Sequence, residues 1–169
     1  MTDALPGWAN RQPDFANLFN PAFVGIVLRS VCEGYVARAD EAMPVSLSFL
    51  AVPLVLSPAV RQNRPSNVRA RMGKWLRENP NIKAEFMPAA RFLVPVVREA
   101  IMVAVYNKLL AIESHRLRGI GHLQSALGTP DASPISNLGN DLAHARFIGR
   151  WLAATGSEVA IFDAIGLRP

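Results

Sequence analysis

The distribution of apolar and polar residues along the chain is organised around residues 43–78. The first half of this stretch, from Val45 to Leu56, is almost continuously apolar. The second half is basic and contains no acid before Glu78; its cations are Arg61, Arg64, Arg69, Arg71, Lys74 and Arg77. A segment that must be buried therefore leads directly into one that must stay hydrated. We expect the first half at the centre of the core and the second half on a binding surface.

Helical periodicity dominates the flanking segments. Asn20-Pro21 combines a favourable N-cap with proline at the first helical position, and the apolar spacing that follows predicts a helix over about 20–38. Residues 43–56 are ambiguous, because a short apolar run fits a buried strand or a buried helix. We favour a helix, since Pro53 is unsuited to a central strand, although proline also kinks helices.

The middle of the chain shows two further helical patterns. Ser66 is placed to cap a helix that extends to about Glu78, with Trp75 in its apolar stripe. Residues 82–107 are again periodic but contain Pro88 and Pro95. Proline removes a helical hydrogen bond, so this segment is expected to be two helices or one kinked helix.

Residues 108–127 change character, with short alternating runs separated by turn residues. They predict two or three short strands joined by turns at Ser114-His115 and at 119–121. A helix followed by a small basic hairpin is the layout of a winged helix. Arg116 and Arg118, on the expected wing, would extend the basic surface, although an ordinary solvent-facing turn explains them equally.

These elements predict a mainly α fold with a small β-hairpin, an α+β domain resembling a winged helix. We divide the chain into an N-terminal arm (1–19), a helical core with the wing (20–127), a linker (128–136) and C-terminal helices (137–169). Ser136 and Ser157 are the expected N-caps of the last two helices. The C-terminal helices are expected to pack on the core or on a partner.

Composition narrows the class of protein. The net charge is +5; residues 61–77 alone carry +6, so the rest of the chain sums to −1. The basicity is therefore local and indicates an acidic partner. The single cysteine, Cys32, excludes an internal disulfide and fits a reducing cytoplasm. The longest apolar run is shorter than the ~20 residues of a membrane span, and no signal peptide is recognisable.

Half of the residues are hydrophobic, which is high for so short a chain and predicts a face buried against another protein. The apolar residues of the two terminal segments are the candidates for this protein interface. They are Phe15, Phe19, Phe162, Ile165 and Leu167.

A search for catalytic and ligand-binding motifs is negative. Gly73-Lys74 is followed by Trp75, not by the Ser or Thr of a phosphate-binding loop. The histidines are widely separated, and Cys32 lies beside Glu33, which disfavours a thiolate. We therefore expect no catalytic residues, no metal site and no cofactor.

The basic stretch has two interpretations. Charged residues on an amphipathic helix usually form a solvated face. Alternatively, the stretch binds phosphate or an acidic protein, because arginine predominates and its planar guanidinium suits both groups. Trp75 belongs to the apolar stripe, so a base-stacking platform for single strands is not expected.

Several short motifs, in this order, resemble one family. They are Asn20-Pro21-Ala22-Phe23, the apolar block 50–56 with Pro53-Leu54, Arg64-Pro65, Trp75-Leu76, Arg98-Glu99-Ala100, Gly149-Arg150-Trp151 and the ending from Ile161-Phe162 to Pro169. The chain is similar to the middle component of bacterial three-component ABC systems, the group that includes Lamassu-type antiphage defence.

The resemblance implies a non-catalytic adaptor subunit with two partners. One is a coiled-coil, SMC-like ABC ATPase, and the other is an effector, often a nuclease. The adaptor would occupy a place similar to the kleisin-like or winged-helix partners of such ATPases, contacting DNA directly or through the complex. The alternative is a stand-alone winged-helix DNA-binding regulator, although the basic helix lacks the Asn, Gln or Ser residues suited to base edges. A toxin or antitoxin partner is a third option.

Overall fold

The computed structural model describes residues 5–7, 10–121 and 135–166. The elements of these ranges, in chain order, are α1 (Pro13–Leu18), α2 (Pro21–Ala39), β1 (Met43–Pro44), a 3-10 turn (Val45–Leu47), α3 (Ser48–Leu56), α4 (Pro58–Gln62), α5 (Met72–Glu78), α6 (Pro80–Tyr106), β2 (Leu110–Glu113), β3 (Arg116–Gly119), α7 (Ile135–Thr155) and α8 (Glu158–Ile165). The predicted fold class, mainly helical with a small sheet, is confirmed.

Helix α2 lies at the centre of the fold and packs against α7 and α6. Its start follows the sequence signal, because the Asn20 side chain accepts a hydrogen bond of 2.9 Å from the Ala22 N–H and Pro21 is the first helical residue. The helix stops at Asp40, which adopts a left-handed conformation with φ of 57°. The predicted helix over 20–38 is therefore confirmed.

Helices α2 and α7 approach so closely that their backbones touch. A Cβ atom added to Gly34 would lie 2.0 Å from the carbonyl oxygen of Arg146. One added to Gly149 would lie 2.0 Å from the carbonyl oxygen of Val31. These two pairings run in opposite directions along the helices, so the helices are antiparallel. Only glycine leaves room for this crossing.

The ambiguous segment 43–56 combines both expected structures. Its first two residues form strand β1, and after the 3-10 turn the chain continues as α3, so the preference for helix was right for Ser48–Leu56 and wrong for Met43–Pro44. Helix α3 is buried along nearly its whole length, with Leu50, Val52 and Val55 in the core. Pro53 lies inside it.

The expected helix start at Ser66 was wrong, because α5 begins only at Met72. The Asn67 side chain accepts a hydrogen bond of 2.9 Å from the backbone N–H of Arg69. This Asx turn satisfies a backbone donor locally and competes with helix formation. Residues 63–71 consequently form an irregular loop ahead of α5.

Helix α6 runs without a break from Pro80 to Tyr106, so the alternative with two separate helices was wrong. Pro88 and Pro95 each leave the carbonyl four residues earlier without a helical partner. Those carbonyls belong to Ala84 and Arg91, both exposed, so water can satisfy them.

The sheet has the order β1-β3-β2 and is antiparallel. Strands β2 and β3 form the predicted hairpin, and its turn residues Ser114 and His115 both have positive φ, as a type I′ turn requires. The third strand is β1, in which Met43 pairs with Leu117. A winged-helix topology stays a prediction.

Arg29 fastens the hairpin to the helices. Its side chain is almost fully buried and donates to the carbonyl oxygens of Ile120, at 3.1 Å, and Gly121. It also pairs with Glu33, which accepts a second bond of 3.1 Å from Arg146 of α7. Removing one partner would leave a buried charge uncompensated, so the network ties α2, α7 and the hairpin together.

Ser157 is the N-cap of α8, as predicted. Its hydroxyl accepts a 3.3 Å hydrogen bond from the Ala160 N–H. Helix α7 includes Ser136, so this residue is not the N-cap that was expected. The linker 128–136 lies mostly outside the described residues, as does Leu167. The proposed domain boundaries are not tested.

One helical segment, Pro13–Ala39, is long and apolar enough to cross a membrane by length and composition alone. This is weak evidence for a membrane span, because the core helix of a soluble protein passes the same test. Most of the segment is α2, which packs against α6 and α7.

His144 is a buried titratable group on α7, with only 2 % of its surface exposed. Burial lowers its pKa to about 4, and the nearby positive charges of Arg61 and Arg64 contribute to the same shift. The backbone of Leu54 and the carboxylate of Asp141 oppose it more weakly.

The helix crossing generates a stability prediction. Gly149→Ala should lower the free energy of unfolding by about 3 kcal/mol or more, since overpacking at a backbone contact forces the helices apart. The matched control is Gly139→Ala on the same helix, where no atom lies within 4 Å of the added Cβ. That variant should gain about 0.5–1 kcal/mol. Denaturant unfolding measures both; equal effects of the two substitutions would contradict the close crossing.

The buried histidine generates a pH prediction. Because the folded pKa lies below the unfolded value of about 6.5, the unfolded state takes up the proton first. The stability present above pH 6.5 should therefore fall by about 3 kcal/mol as the pH approaches 4. His144→Leu should remove this component from the pH dependence of unfolding. His115→Asn, at an exposed turn residue, should leave it intact; identical pH curves for wild type and His144→Leu would refute the assignment.

Candidate functional site

The six cations of the basic stretch separate into two groups. Arg61 pairs with Asp141 of α7, and the guanidinium carbon of Arg64 lies 4.6 Å from the centre of the Phe147 ring. The second contact has cation–π geometry. These two arginines attach residues 61–64 to α7, so they have a structural role within the chain.

The other four cations surround a shallow depression between α5 and α8, which we call the basic concavity. Its cations are Arg69, Arg71, Lys74 and Arg77. The opposite wall consists of the small residues Ala154, Thr155, Ala160 and Ala164. Its volume is about 560 Å³. The structure thus gathers onto one surface four residues that the sequence predicted only as part of a longer basic run.

Two tryptophans position the loop that presents these cations. The indole N–H of Trp75 donates to the carbonyl oxygen of Asn63 at 2.8 Å, and that of Trp151 donates to Ala70 at 2.7 Å. The two rings meet edge to face with centroids 5.0 Å apart. Both side chains are buried, so Trp75 belongs to the core as predicted. The arginines of the loop are exposed to solvent.

The charge of the basic concavity is largely uncompensated. Arg69, Arg71 and Arg77 have no acidic partner within the described ranges, and no acid lines the concavity there. The Nζ atom of Lys74 lies 3.6 Å from the carboxylate of Glu78, but both side chains are more than half exposed. An ion pair this exposed to solvent interacts only weakly, so Glu78 does little to offset the charge of Lys74. The surface therefore presents a concentrated positive charge to solvent.

The expected extension of this surface onto the hairpin is not found. Arg116 donates to the carbonyl oxygen of Ala42 at 2.6 Å and pairs with Glu41 at 3.2 Å. It therefore attaches the segment between α2 and β1 to strand β3. Arg118 is exposed on β3. Neither residue lines the basic concavity.

The N-terminal arm packs on α6 of the same chain, through the aromatic residues that were expected at an interface with another protein. The ring of Phe15 lies 4.9 Å from that of Phe19, and both contact Phe92 at 6.2 and 6.0 Å between centroids. Arg11 adds a bidentate pair, with both terminal nitrogens 2.8 Å from the carboxylate oxygens of Glu99.

The C-terminal interface candidates occupy different environments. Phe162 is half-buried and lines an apolar groove with Phe49 and Met87. Ile165 is only 3 % exposed and belongs to the core, so its side chain is not available to a partner, contrary to expectation. The interface role of the remaining candidates is not tested.

Exposed apolar residues on α6 were missed by the sequence analysis. Phe92, Met102 and Tyr106 are 59 %, 66 % and 87 % exposed. Met102 and Tyr106 are one turn apart and lie off the apolar stripe that contains Val97 and Ile101. That offset is a signal that could have identified them.

The single cysteine of the chain packs in the core. Cys32 is fully buried, and burial, aided by the negative charge of Glu33, raises its pKa to about 12. The raised pKa agrees with the expectation that Glu33 disfavours a thiolate at this position. Within residues 5–7, 10–121 and 135–166, no group of three or more His, Cys, Asp or Glu is arranged to hold a metal ion.

No curated protein and no solved structure matches this chain. One protein family does match, described as ABC-three component (ABC-3C) system Middle Component 3, over residues 8–169. This match confirms the resemblance at the level of the three-component ABC systems, and membership in such a system implies partner subunits. Because the match spans nearly the whole chain, the protein belongs to the Middle Component 3 family of ABC-three component systems.

Proposed function

We propose that this protein is a non-catalytic adaptor that joins a coiled-coil, SMC-like ABC ATPase to an effector, such as a nuclease, in a cytoplasmic antiphage defence system of the Lamassu type. The family assignment over residues 8–169 carries the proposal. A middle component of a three-component system works beside two other components, and an adaptor role accounts for its position between them.

The surface of the chain supports a role in contacting more than one partner. The basic concavity lies between α5 and α8, whereas the exposed apolar residues Phe92, Met102 and Tyr106 lie on α6. Exposed large apolar side chains are typical of surfaces that become buried in assemblies. Two surfaces of different chemistry suit contacts with two kinds of molecule.

The roles of the titratable groups in the interior support a non-catalytic subunit. Cys32 and His144 are buried in the core, and the Arg29–Glu33–Arg146 network joins helices to the hairpin. Cys32 therefore serves packing, and the network serves the attachment of the hairpin.

In the proposed mechanism, the adaptor holds the effector inactive on the ATPase until the ATPase detects foreign or broken DNA. The basic concavity then contacts either that DNA or an acidic surface of the ATPase. Both alternatives use its uncompensated charge.

The adaptor role predicts a stable assembly. Co-expression with the products of the two neighbouring genes, followed by purification and mass determination, should yield a complex that contains a coiled-coil ATPase. The mass measured with and without DNA ends gives the composition of the assembly. Elution of this chain alone, without an ATPase encoded nearby, would refute the adaptor role.

The basic concavity predicts a loss of function on charge reversal. Arg69→Glu, Arg71→Glu and Lys74→Glu together should abolish protection against phage in a plaque assay, because the surface becomes acidic. The melting temperature should change little, since all three side chains are exposed.

The matched control reverses three other exposed cations, Arg38, Lys83 and Arg118, which line neither the basic concavity nor the groove that contains Phe162. This variant has the same net charge and should keep more protection than the concavity variant. Wild-type protection from the concavity variant would exclude a role for that surface.

A further inference from the structure

We infer that the basic concavity binds the phosphate backbone of duplex DNA without reading its sequence. This inference rests on the proposed function, because it selects one of the two ligands left open there for the same surface. Four observations on the described residues support it: the convergence of the cations, the size of the opposite wall, the absence of apolar anchors and the absence of stacking rings.

The first observation is the convergence of charge. Four cations within a span of nine residues line one depression, although two come from the loop 63–71 and two from α5. Three of the four are arginines, whose guanidinium groups form paired hydrogen bonds with phosphate oxygens. Arg61 and Arg64 contact α7 and do not line the concavity. The cations that do line it have no ion pair among the described residues apart from the exposed pair of Lys74 with Glu78.

The second observation is the small size of the opposite wall. Ala154, Ala160 and Ala164 project only methyl groups, and Gly73 adds no side chain on the α5 side. A sugar-phosphate strand can therefore approach the backbone of α8 while the arginines reach its phosphates from the other wall. The absence of an acid along this wall, in the part of the chain described, removes the main source of repulsion.

The third observation separates DNA from an acidic protein surface. Protein interfaces are usually centred on aromatic or large aliphatic anchors surrounded by a polar rim. The large apolar residue that lines the concavity, Met72, is 2 % exposed and belongs to the core. None of the exposed large apolar residues lines the concavity; they are Phe92, Met102 and Tyr106 on α6, Ile112 and Ile120 at the hairpin, and Val159 on α8. Charge without anchors is typical of phosphate contacts.

The fourth observation separates duplex from single-stranded nucleic acid. Single strands are usually held by aromatic rings that stack on bases. No ring is among the residues that line the concavity; Trp75 and Trp151 lie nearby, but they are buried and donate their indole hydrogens to Asn63 and Ala70. No Asn or Gln lines it either, so the side chains that read adenine are absent. Arginine binds guanine edges as well as phosphates, and the comparison of unrelated duplex sequences in the test below distinguishes the two.

The test is binding of the 169-residue chain to a fluorescent 30-base-pair duplex, followed by anisotropy over a range of salt concentrations. The variant replaces Arg69, Arg71 and Arg77 by Gln. If each arginine neutralises one phosphate, the slope of log affinity against log salt should become shallower by about 3. At moderate salt the dissociation constant should rise by ~10-fold or more, with similar losses for unrelated duplex sequences.

The matched control replaces Lys83, Arg91 and Arg98 by Gln, which gives the same net charge without touching the concavity. Its salt slope should stay within about 1 of wild type. Equal losses in the two variants would overturn the inference, because binding would then follow net charge alone. A single-stranded or RNA oligonucleotide that binds more tightly through the same arginines would overturn it too.

Co-purification separates this inference from the adaptor role. The Gln variant of the concavity should lose duplex binding yet still assemble with the ATPase and the effector. If it binds the duplex normally but no longer retains the ATPase, the concavity meets an acidic protein surface; the inference then fails and the adaptor role stands. If the wild-type chain binds DNA but forms no assembly, the adaptor role fails while the DNA site stands.

Discussion

The contact between the backbones of α2 and α7 is the constraint on which the rest of the fold depends. Gly34 and Gly149 allow each helix to lie against the carbonyl groups of the other. Because the two backbones are in contact, the side chains next to the crossing are held in the core. Ile148 and Trp151 on α7 and Val31 on α2 are fully buried around it. The crossing therefore determines where α7 lies relative to the remaining helices.

The position of α7 in turn determines the shape of the candidate site. Asp141 holds Arg61, Phe147 contacts Arg64, and Trp151 binds the carbonyl of Ala70. These three contacts attach α4 and the loop that follows it at successive points along one helix. The same helix ends in Ala154 and Thr155, which contribute to the opposite wall of the basic concavity. A single helix thus links the core crossing to the basic concavity.

Local signals predicted much of the fold but not the composition of the site. Asn20, Ser157 and the Ser114-His115 turn act through neighbours within a few residues, and each prediction was correct. The prediction that Ser66 caps α5 was wrong, because the competing Asx turn at Asn67 depends on a side-chain hydrogen bond that hydrophobic periodicity does not reveal. The division of the six cations depends on α7, about 80 residues further along the chain, and therefore could not be inferred from the basic run itself. The run of small residues at 153–156 was the remaining clue to the opposite wall.

The paired tryptophans also affect the thermodynamics of binding at the loop 63–71. One indole holds Asn63 and the other holds Ala70, so both ends of the loop are anchored before any ligand arrives. Ordering a flexible loop on binding opposes association through lost conformational entropy. Here the backbone is already ordered and only the long arginine side chains remain to be fixed. For the ligand proposed above, this preorganisation would let a modest number of charge contacts produce useful affinity. The position of the charges would then depend on two buried aromatic rings that do not line the concavity.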